Sequence, residues 1–521
     1  PRSILKNNQE NNKYFFYEPN VEVFFHILKN YDIRDILNDK NVVLFVEGLN
    51  TEKMQIYVTS CVTYKNFEKF YVENLPKYKE IYEGVFFAAT SMCQNIRNYA
   101  QADFNTRKLY SQKTVSNYVA NLKYIFDANV IEDYRESIPC DIPVFIVGAG
   151  PSLAKNIKLL KEVKNHGIII AAEAALKILL AADIMPDLVI TADTHKALYW
   201  ITDVTKGEIP FLIDSGANSD FLNLLHNPKI IYATTMCNYY KNLFGLSNRK
   251  LATLQSGGSV TTLAFCLACH LNMETIIFVG QDLAMTGFQE YAGWEDLRTR
   301  GFQRELIAVK GNIEETVFTT DDYKLYIEWF NMFIADVCKS NVINATEGGA
   351  YIEGTQVMTL REVVDKFCKQ EFYVERMLNE IESSFNVEEK IRVYKKILAT
   401  RQECKAVKQK INDAIEDLDN ALRLLQRGGW PEKEINKVEK SVDKVNQFLN
   451  QSEIMEFLQI RTVGEEKELV TYLENKSEDV YGETINLYHR TKNYMENLLS
   501  ANEELYLMFS SLIDEIRDRF E

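Results

Sequence analysis

Residues 143–162 read PVFIVGAGPSLAKNIKLLKE, and residues 167–195 read GIIIAAEAALKILLAADIMPDLVITADTH. Val144 to Val147 is a short apolar run suited to a strand buried on both faces. Gly148-Ala149-Gly150-Pro151-Ser152 follows, a turn whose glycines tolerate backbone angles closed to other residues. Pro151 and Ser152 suit a helix start, and Leu153, Ile157, Leu160 and Val163 then recur at helical spacing. Gly167 to Ala172 reads as a second strand ending at Glu173. Leu188 to Thr191 reads as a third, delivering Asp193 to the same rim. A strand–glycine turn–helix unit aims free N–H groups and a helix dipole at an anion, usually a phosphate. A carboxylate at the end of the second strand commonly accepts a ribose hydroxyl. Leu153 stands where the dinucleotide fingerprint has its third glycine, so a turn that only packs strand against helix stays open.

Composition narrows the field. A chain of 521 residues suits about three domains, and 46% apolar residues allow a large core. A net charge of −15 argues against an extended nucleic-acid footprint, which needs a basic face. It equally disfavours adsorption to anionic lipid. Nine cysteines with no disulfide-like framework suit a reducing cytoplasm. Cys266 and Cys269 form a C-x-x-C inside a helical pattern with no second pair to complete a zinc site, and they read as core. No apolar run reaches the roughly 18 residues of a membrane span. The stretch KNNQENNK near the start lacks a signal-peptide pattern, and the expected location is cytoplasmic.

The pattern predicts three domains: residues 1–140, a small α/β domain; 141–365, a Rossmann-like domain with a mainly parallel sheet; and 366–521, all helical. In the first, Val21 to Leu37 and Phe86 to Ala128 read as helical, and Val42 to Val46 and Gln55 to Val58 as strands. In the second, strand-like runs recur at Pro210 to Ile213, Ile230 to Ala233 and Thr275 to Val279, with helical patterns between several of them. Ser256-Gly257-Gly258-Ser259 is a second glycine turn, leading into a helix over Val260 to Leu271. It can donate hydroxyls to a ligand or serve as a plain N-cap. The strand over Thr275 to Val279 ends in Gly280-Gln281-Asp282, at the rim where open α/β sheets bind ligands. Thr286 to Asp322 shows no strong periodicity and carries Arg298, Arg300, Arg304 and Lys310, either an anion-binding loop or a solvated face. Tyr323 to Val337 reads as a helix, and Glu347 sits in the glycine-bearing turn NATEGGA. Beyond residue 366, apolar stripes at 411–425 and 435–449, separated by Gly428-Gly429 and Pro431, predict an antiparallel helical hairpin. Such a hairpin is also a surface for a protein partner.

GAGPSL, EAALKILLAADIMPD, TADTH, SGGSV, GQDLAMTG and NATEGGAYIEG, in this order over about residues 141–360, resemble the motility associated factor (Maf) proteins. The central domain of that family is shared with archaeal 6-hydroxymethylpterin diphosphokinases. The resemblance implies a cytoplasmic glycosyltransferase that moves a nonulosonic acid, of pseudaminic, legionaminic or sialic type, from its CMP-activated form to Ser or Thr of flagellin. The domain is also similar to bacterial lipooligosaccharide sialyltransferases. Gly148, Gly150, Pro151, Ser152, Ser256, Gly257, Gly280 and Asp282 match glycine-turn and G-x-D positions of those enzymes. Ala149 replaces an asparagine, and Glu173 and Asp193 replace asparagines that contact the donor. The histidine base of that family falls near Thr316 to Asp322, where this chain has none.

The expected roles follow. Gly148, Gly150, Pro151 and Ser152 meet the CMP phosphate. Glu173 and Asp193 hold ribose or a Mg²⁺ ion, with no metal site otherwise implied. Ser256, Gly257, Gly258, Ser259, Gly280 and Asp282 line the nucleoside and sugar pocket. Glu347, His195 and Asp322 are the candidates for the general base. The alternatives are a pterin diphosphokinase-like enzyme and a non-enzymatic flagellin-binding factor.

Overall fold

Residues 12–51, 54–75, 77–135, 137–195, 209–225, 228–234, 237–285, 292, 306–474 and 479–520 are described by a computed structural model. Contacts divide the chain into two units, Pro1–Leu109 and Tyr110–Glu521. In the first, β1 (Tyr14–Glu18) pairs in parallel with β2 (Val42–Val46). Helices α1 (Val21–Asn30) and α2 (Arg34–Leu37) lie between them in sequence, and α3 (Met54–Cys61) follows. The run Gln55 to Val58, expected as a strand, therefore lies in a helix. Val58 and Val62 are buried in the small core and Met54 packs on it, a spacing of four that one helix face satisfies. Helix α4 (Glu83–Asn121) contains the division between the units, so the expected boundary at residue 140 moves to Leu109.

Residues 110–140 belong to the larger unit because β3 (Asn129–Val130) joins its sheet. The sheet continues with β4 (Val144–Val147), β5 (Ile168–Ala172), β6 (Leu188–Thr191), β7 (Phe211–Asp214), β8 (Ile230–Ala233) and β9 (Thr275–Val279). A separate antiparallel hairpin comes next, β10 (Ile307–Lys310) with β11 (Thr316–Thr319), inside the stretch that shows no periodicity. Strands β12 (Asn341–Asn344) and β13 (Gln356–Val357) complete the main sheet. Its order is β13-β12-β9-β4-β5-β6-β7-β8-β3, with each neighbouring pair parallel. From β4 the chain winds outward through β5 to β8, then crosses back to lay β9 on the other side of β4. That reversal lies at the carboxyl ends of β4 and β9, the place where such sheets bind ligands.

The two-residue period of the strands sorts side chains into two cores. Phe145, Val147, Ile169, Ala171, Val189 and Ile213 enter one. Val144, Ile146, Ile168, Ile170, Ile190 and Leu212 enter the other. The first core holds α5 (Glu173–Ala181) and α6 (Asn238–Gly245); the second holds α7 (Val260–His270) and α8 (Asp321–Asp336). After α9 (Leu360–Phe367), the C-terminal helices include α10 (Val387–Leu425), α11 (Glu432–Asn450), α12 (Met455–Arg461) and α13 (Val480–Ile516). The expected hairpin is α10 with α11; Pro431 is the residue before α11 rather than its first. The first core runs on without a break into Val393, Ile397, Phe457 and Phe509 of these helices. Tyr239 of α6 lies edge-on to Phe457 and Phe509, and its hydroxyl bonds Thr400 at 3.0 Å. Residues 141–365 and 366–521, expected as separate domains, thus form one body.

Candidate functional site

The crossover helices run back from the strand ends, so the starts of α5, α7 and α8 share one rim with the turns after β4, β9 and β12. At the reversal point the two glycine turns lock together. Gly148 N–H donates to the Val279 carbonyl at 2.9 Å, and Gly150 N–H to the Gly280 carbonyl at 2.8 Å. The Ser152 hydroxyl donates to Asp282 Oδ1 at 2.6 Å, and its N–H reaches Oδ2 at 3.2 Å. Both side chains are buried. A Cβ on Gly150 would stand 2.1 Å from Asp282 Oδ1. The glycine at 150 therefore lets the Asp282 carboxylate approach the turn, and that carboxylate occupies the amide which the sequence pattern reserves for a phosphate. The helix after the turn, Leu153–Asn156, is a single turn, so its dipole is small.

Lys155, which the sequence reading passes over, extends along this rim. Its Nζ donates to the Glu347 carbonyl at 3.1 Å and stands 3.6 Å from where a Cβ on Gly348 would lie, as does Asp282 Oδ2. Its only sequence signal is a cation one turn beyond Ser152. Glu347 has φ +56°, in the left-handed region. Its carboxylate accepts from Asn156 Nδ2 at 3.0 Å and from Leu360 N–H at 2.9 Å, at the start of α9. The NATEGGA turn thereby ties three strand-end segments together.

Glu173 heads α5, buried, and accepts a short hydrogen bond from the Thr191 hydroxyl. Burial pushes its carboxyl up to about 8, the Thr191 bond pulls the other way, and the charge of Asp193 raises it further. Asp193 Oδ1 accepts from His195 N–H at 2.8 Å, and the exposed His195 ring lies against Tyr110 with centroids 4.8 Å apart. Asp214, unmarked in the sequence reading, ends β7; it is buried and accepts from Gly216 N–H at 2.8 Å. Asn117 and Asn121 of α4 hold these loops from behind. Asn117 Nδ2 donates to the Thr194 and Gly216 carbonyls at 3.1 Å, and Asn121 Nδ2 donates to the Ser215 and Ala217 carbonyls at 3.1 and 2.8 Å. Two asparagines four apart on an apolar helix face were their signal. Glu173 and Asp193 offer two carboxyls to a cation, and no group of three metal-ligating side chains forms among the described residues.

The SGGS turn is built as an N-cap with a lead-in. Ser259 Oγ accepts from Thr262 N–H at 3.2 Å, and Thr262 Oγ1 accepts from Gly257 N–H at 2.9 Å. The turn rests on α8: a Cβ on Gly257 would meet the Trp329 ring at 2.4 Å, and one on Gly258 would meet Tyr326 at 3.1 Å. Asp322 is half-buried in the first turn of α8. Of the expected basic loop, Arg298, Arg300 and Arg304 lie outside the described residues. Lys310 sits 3.9 Å over the Tyr351 ring. A cleft of about 980 Å³ lies at the opposite edge of the sheet, lined in part by Cys140 and Asn272, which lead into β4 and β9. The topology of the sheet and the gathered polar groups favour the rim.

These features define a doubly wound α/β protein with polar side chains gathered at its strand reversal and a helical layer fused to one core. Residues 116–288 match the family described as 6-hydroxymethylpterin diphosphokinase MptE-like, so the central part of the chain is similar to that family. An uncharacterised protein of Treponema pallidum (strain Nichols) is 24% identical over 130 residues, covering 25% of this chain and 60% of that protein. The match thus spans about three fifths of that relative's length. A Maf glycosyltransferase from Magnetospirillum magneticum AMB-1 shares the fold, with TM-score 0.51 and 14% identity over 98% of this chain and 78% of that one. The likeness in fold extends over nearly the whole chain, whereas the family match is confined to its central part. No helix among the described residues is long and apolar enough to cross a membrane.

Proposed function

We propose that this protein is a cytoplasmic glycosyltransferase. It moves a nonulosonic acid of sialic, legionaminic or pseudaminic type from a CMP-activated donor to Ser or Thr of flagellin, in support of flagellum assembly and motility. The observation that carries the reading is the end-to-end likeness to a Maf glycosyltransferase. It extends over 98% of the chain and so includes the helical layer, well beyond the MptE-like part. The donor lies at the carboxyl ends of β4 and β9. Lys155 supplies the positive charge for its phosphate, over the turn formed by Gly148, Gly150, Pro151 and Ser152. Glu173, its carboxyl raised by burial, and Asp193 bind ribose hydroxyls. Ser256, Gly257, Gly258, Ser259, Gly280 and Asp282 flank the nucleoside and the sugar. The anomeric bond breaks through an oxocarbenium-like state, with departure of CMP. The acceptor hydroxyl gives up its proton to His195, Asp322 or Glu347. The Glu347 carboxylate already accepts two structural hydrogen bonds, which puts His195 first.

The test is to incubate the full chain with CMP-activated nonulosonic acid and flagellin, measuring CMP release and the intact mass of flagellin. A parallel reaction offers ATP and 6-hydroxymethylpterin. The match of residues 116–288 to the diphosphokinase-like family favours the second reading, in which Glu173 and Asp193 hold Mg²⁺. AMP formation with no sugar on flagellin establishes that reading and ends the first. Among base candidates, His195→Ala should lower transfer by about a hundredfold. Normal transfer by that variant, with Glu347→Gln inactive, reverses the order.

A further inference from the structure

We propose that Cys269 and Cys338 form an oxidisable dithiol that closes to a disulfide and clamps α7 to α8 at their carboxyl ends, away from the SGGS turn. The Cys269 S–H points at Cys338 Sγ, 3.3 Å away. A disulfide needs about 2.05 Å, an approach of roughly 1 Å. Cys269 sits near the end of α7, and Cys338 follows α8 by two residues. Both are half-buried, and Cys338 stands between exposed Val337 and Lys339, open to a small oxidant. Cys266, which pairs with Cys269 in the sequence pattern, is not the partner. It is buried and donates to the Gln255 carbonyl at 3.0 Å. Cys266 lies in the core, as expected, and Cys269 packs against it while keeping some exposure. The hydrogen bond from Cys269 lowers the Cys338 thiol and raises its own, so the more reachable sulfur carries the thiolate character.

The chemistry needs a peroxide. The Cys338 thiolate attacks one oxygen of hydrogen peroxide, the O–O bond breaks, and hydroxide leaves and takes a proton to become water. The Cys269 sulfur then loses its proton and attacks the sulfenic acid sulfur, releasing a second water. Two thiols and one peroxide yield one disulfide and two waters, and a dithiol reductant reverses it. The effect reaches the rim through rigid parts. Phe265 of α7 packs on Phe330 and Phe333 of α8, with centroids 5.7 and 5.6 Å apart. At the far end of α7, Ser259 caps the helix, and Tyr326 and Trp329 from the middle of α8 support Gly258 and Gly257.

The full-length protein is treated with hydrogen peroxide, remaining thiols are blocked, and peptides are mapped by mass spectrometry. Hydrogen exchange of residues 255–262 is compared between reduced and oxidised samples. The expected result is a Cys269–Cys338 linked peptide lacking two hydrogens, lost on dithiothreitol treatment, with slower exchange in the SGGS turn. Cys266→Ser should cross-link like the parent chain, and Cys269→Ser should leave Cys338 as a sulfenic acid trapped by dimedone. Over-oxidation of Cys338 in the parent chain without a link overturns the dithiol. A link that leaves exchange of residues 255–262 unchanged overturns the clamp.

Discussion

Glu173 is a carboxyl whose proton the fold holds more tightly than water does, because it is buried. Its usual value is 4.5, and burial carries it to about 8 in the native protein. Between those values the unfolded chain releases a proton that the native state keeps. Stability is therefore full below about pH 4.5, falls as pH rises toward 8, and then levels off. The slope approaches roughly 1.4 kcal/mol per pH unit inside that window. Glu173→Gln retains an acceptor for Thr191 and has nothing to titrate, so urea unfolding at pH 5 and pH 8 should show a flatter profile than the parent. An identical pH slope in both proteins assigns the effect elsewhere. Gly150 is a steric case. A Cβ placed 2.1 Å from Asp282 Oδ1 forces the two turns apart, so Gly150→Ala should cost about 1–3 kcal/mol in denaturant unfolding. Ser152→Ala should cost about 1.5–3 kcal/mol, because it removes a hydrogen bond to a buried charged group.

At the scale of elements, strands buried on both faces were the most legible. Val144–Val147, Leu188–Thr191, Ile230–Ala233 and Thr275–Val279 stand where their apolar runs place them, since a short apolar run bounded by turns has few other uses. Met54 to Cys61 misled because Gln55 to Val58 is too short to separate a period of two from one of four; Val62 decides it. The hairpin of β10 and β11 was hidden because one side of it faces solvent, as exposed Phe318 shows. The glycine turn after β4 was correctly located. That its amide is used by Asp282 was not legible, because this depends on a partner 130 residues away. The SGGS turn offers the sharpest test at this scale. Gly257→Ala drives a methyl into the Trp329 ring and should lower thermal stability and CMP affinity together. Trp329→Ala should relieve part of that loss, giving a double variant less impaired than the sum of the singles. Strict additivity shows that the turn and α8 act independently.

For the whole molecule, the shared core changes how acceptor docking can be examined. Removing residues 366–521 would expose Tyr239 and the apolar face of α6. It would also remove Glu456, whose carboxylate accepts the Asn238 and Tyr239 N–H groups at the start of α6. The truncated chain should lose cooperative unfolding by circular dichroism, so its inactivity would say nothing about flagellin. A surface change isolates the question. Lys433, Lys437, Lys440 and Lys444 lie on α11 at spacings of four, three and four, all exposed. They form one basic stripe on a chain of net charge −15. For an acceptor that docks along α11, changing Lys437, Lys440 and Lys444 to Glu should slow flagellin modification about tenfold, mainly through slower association at low salt. Donor hydrolysis without flagellin should keep its rate, because these exposed side chains face away from the core. Unaltered flagellin modification in a folded triple variant moves the acceptor off α11.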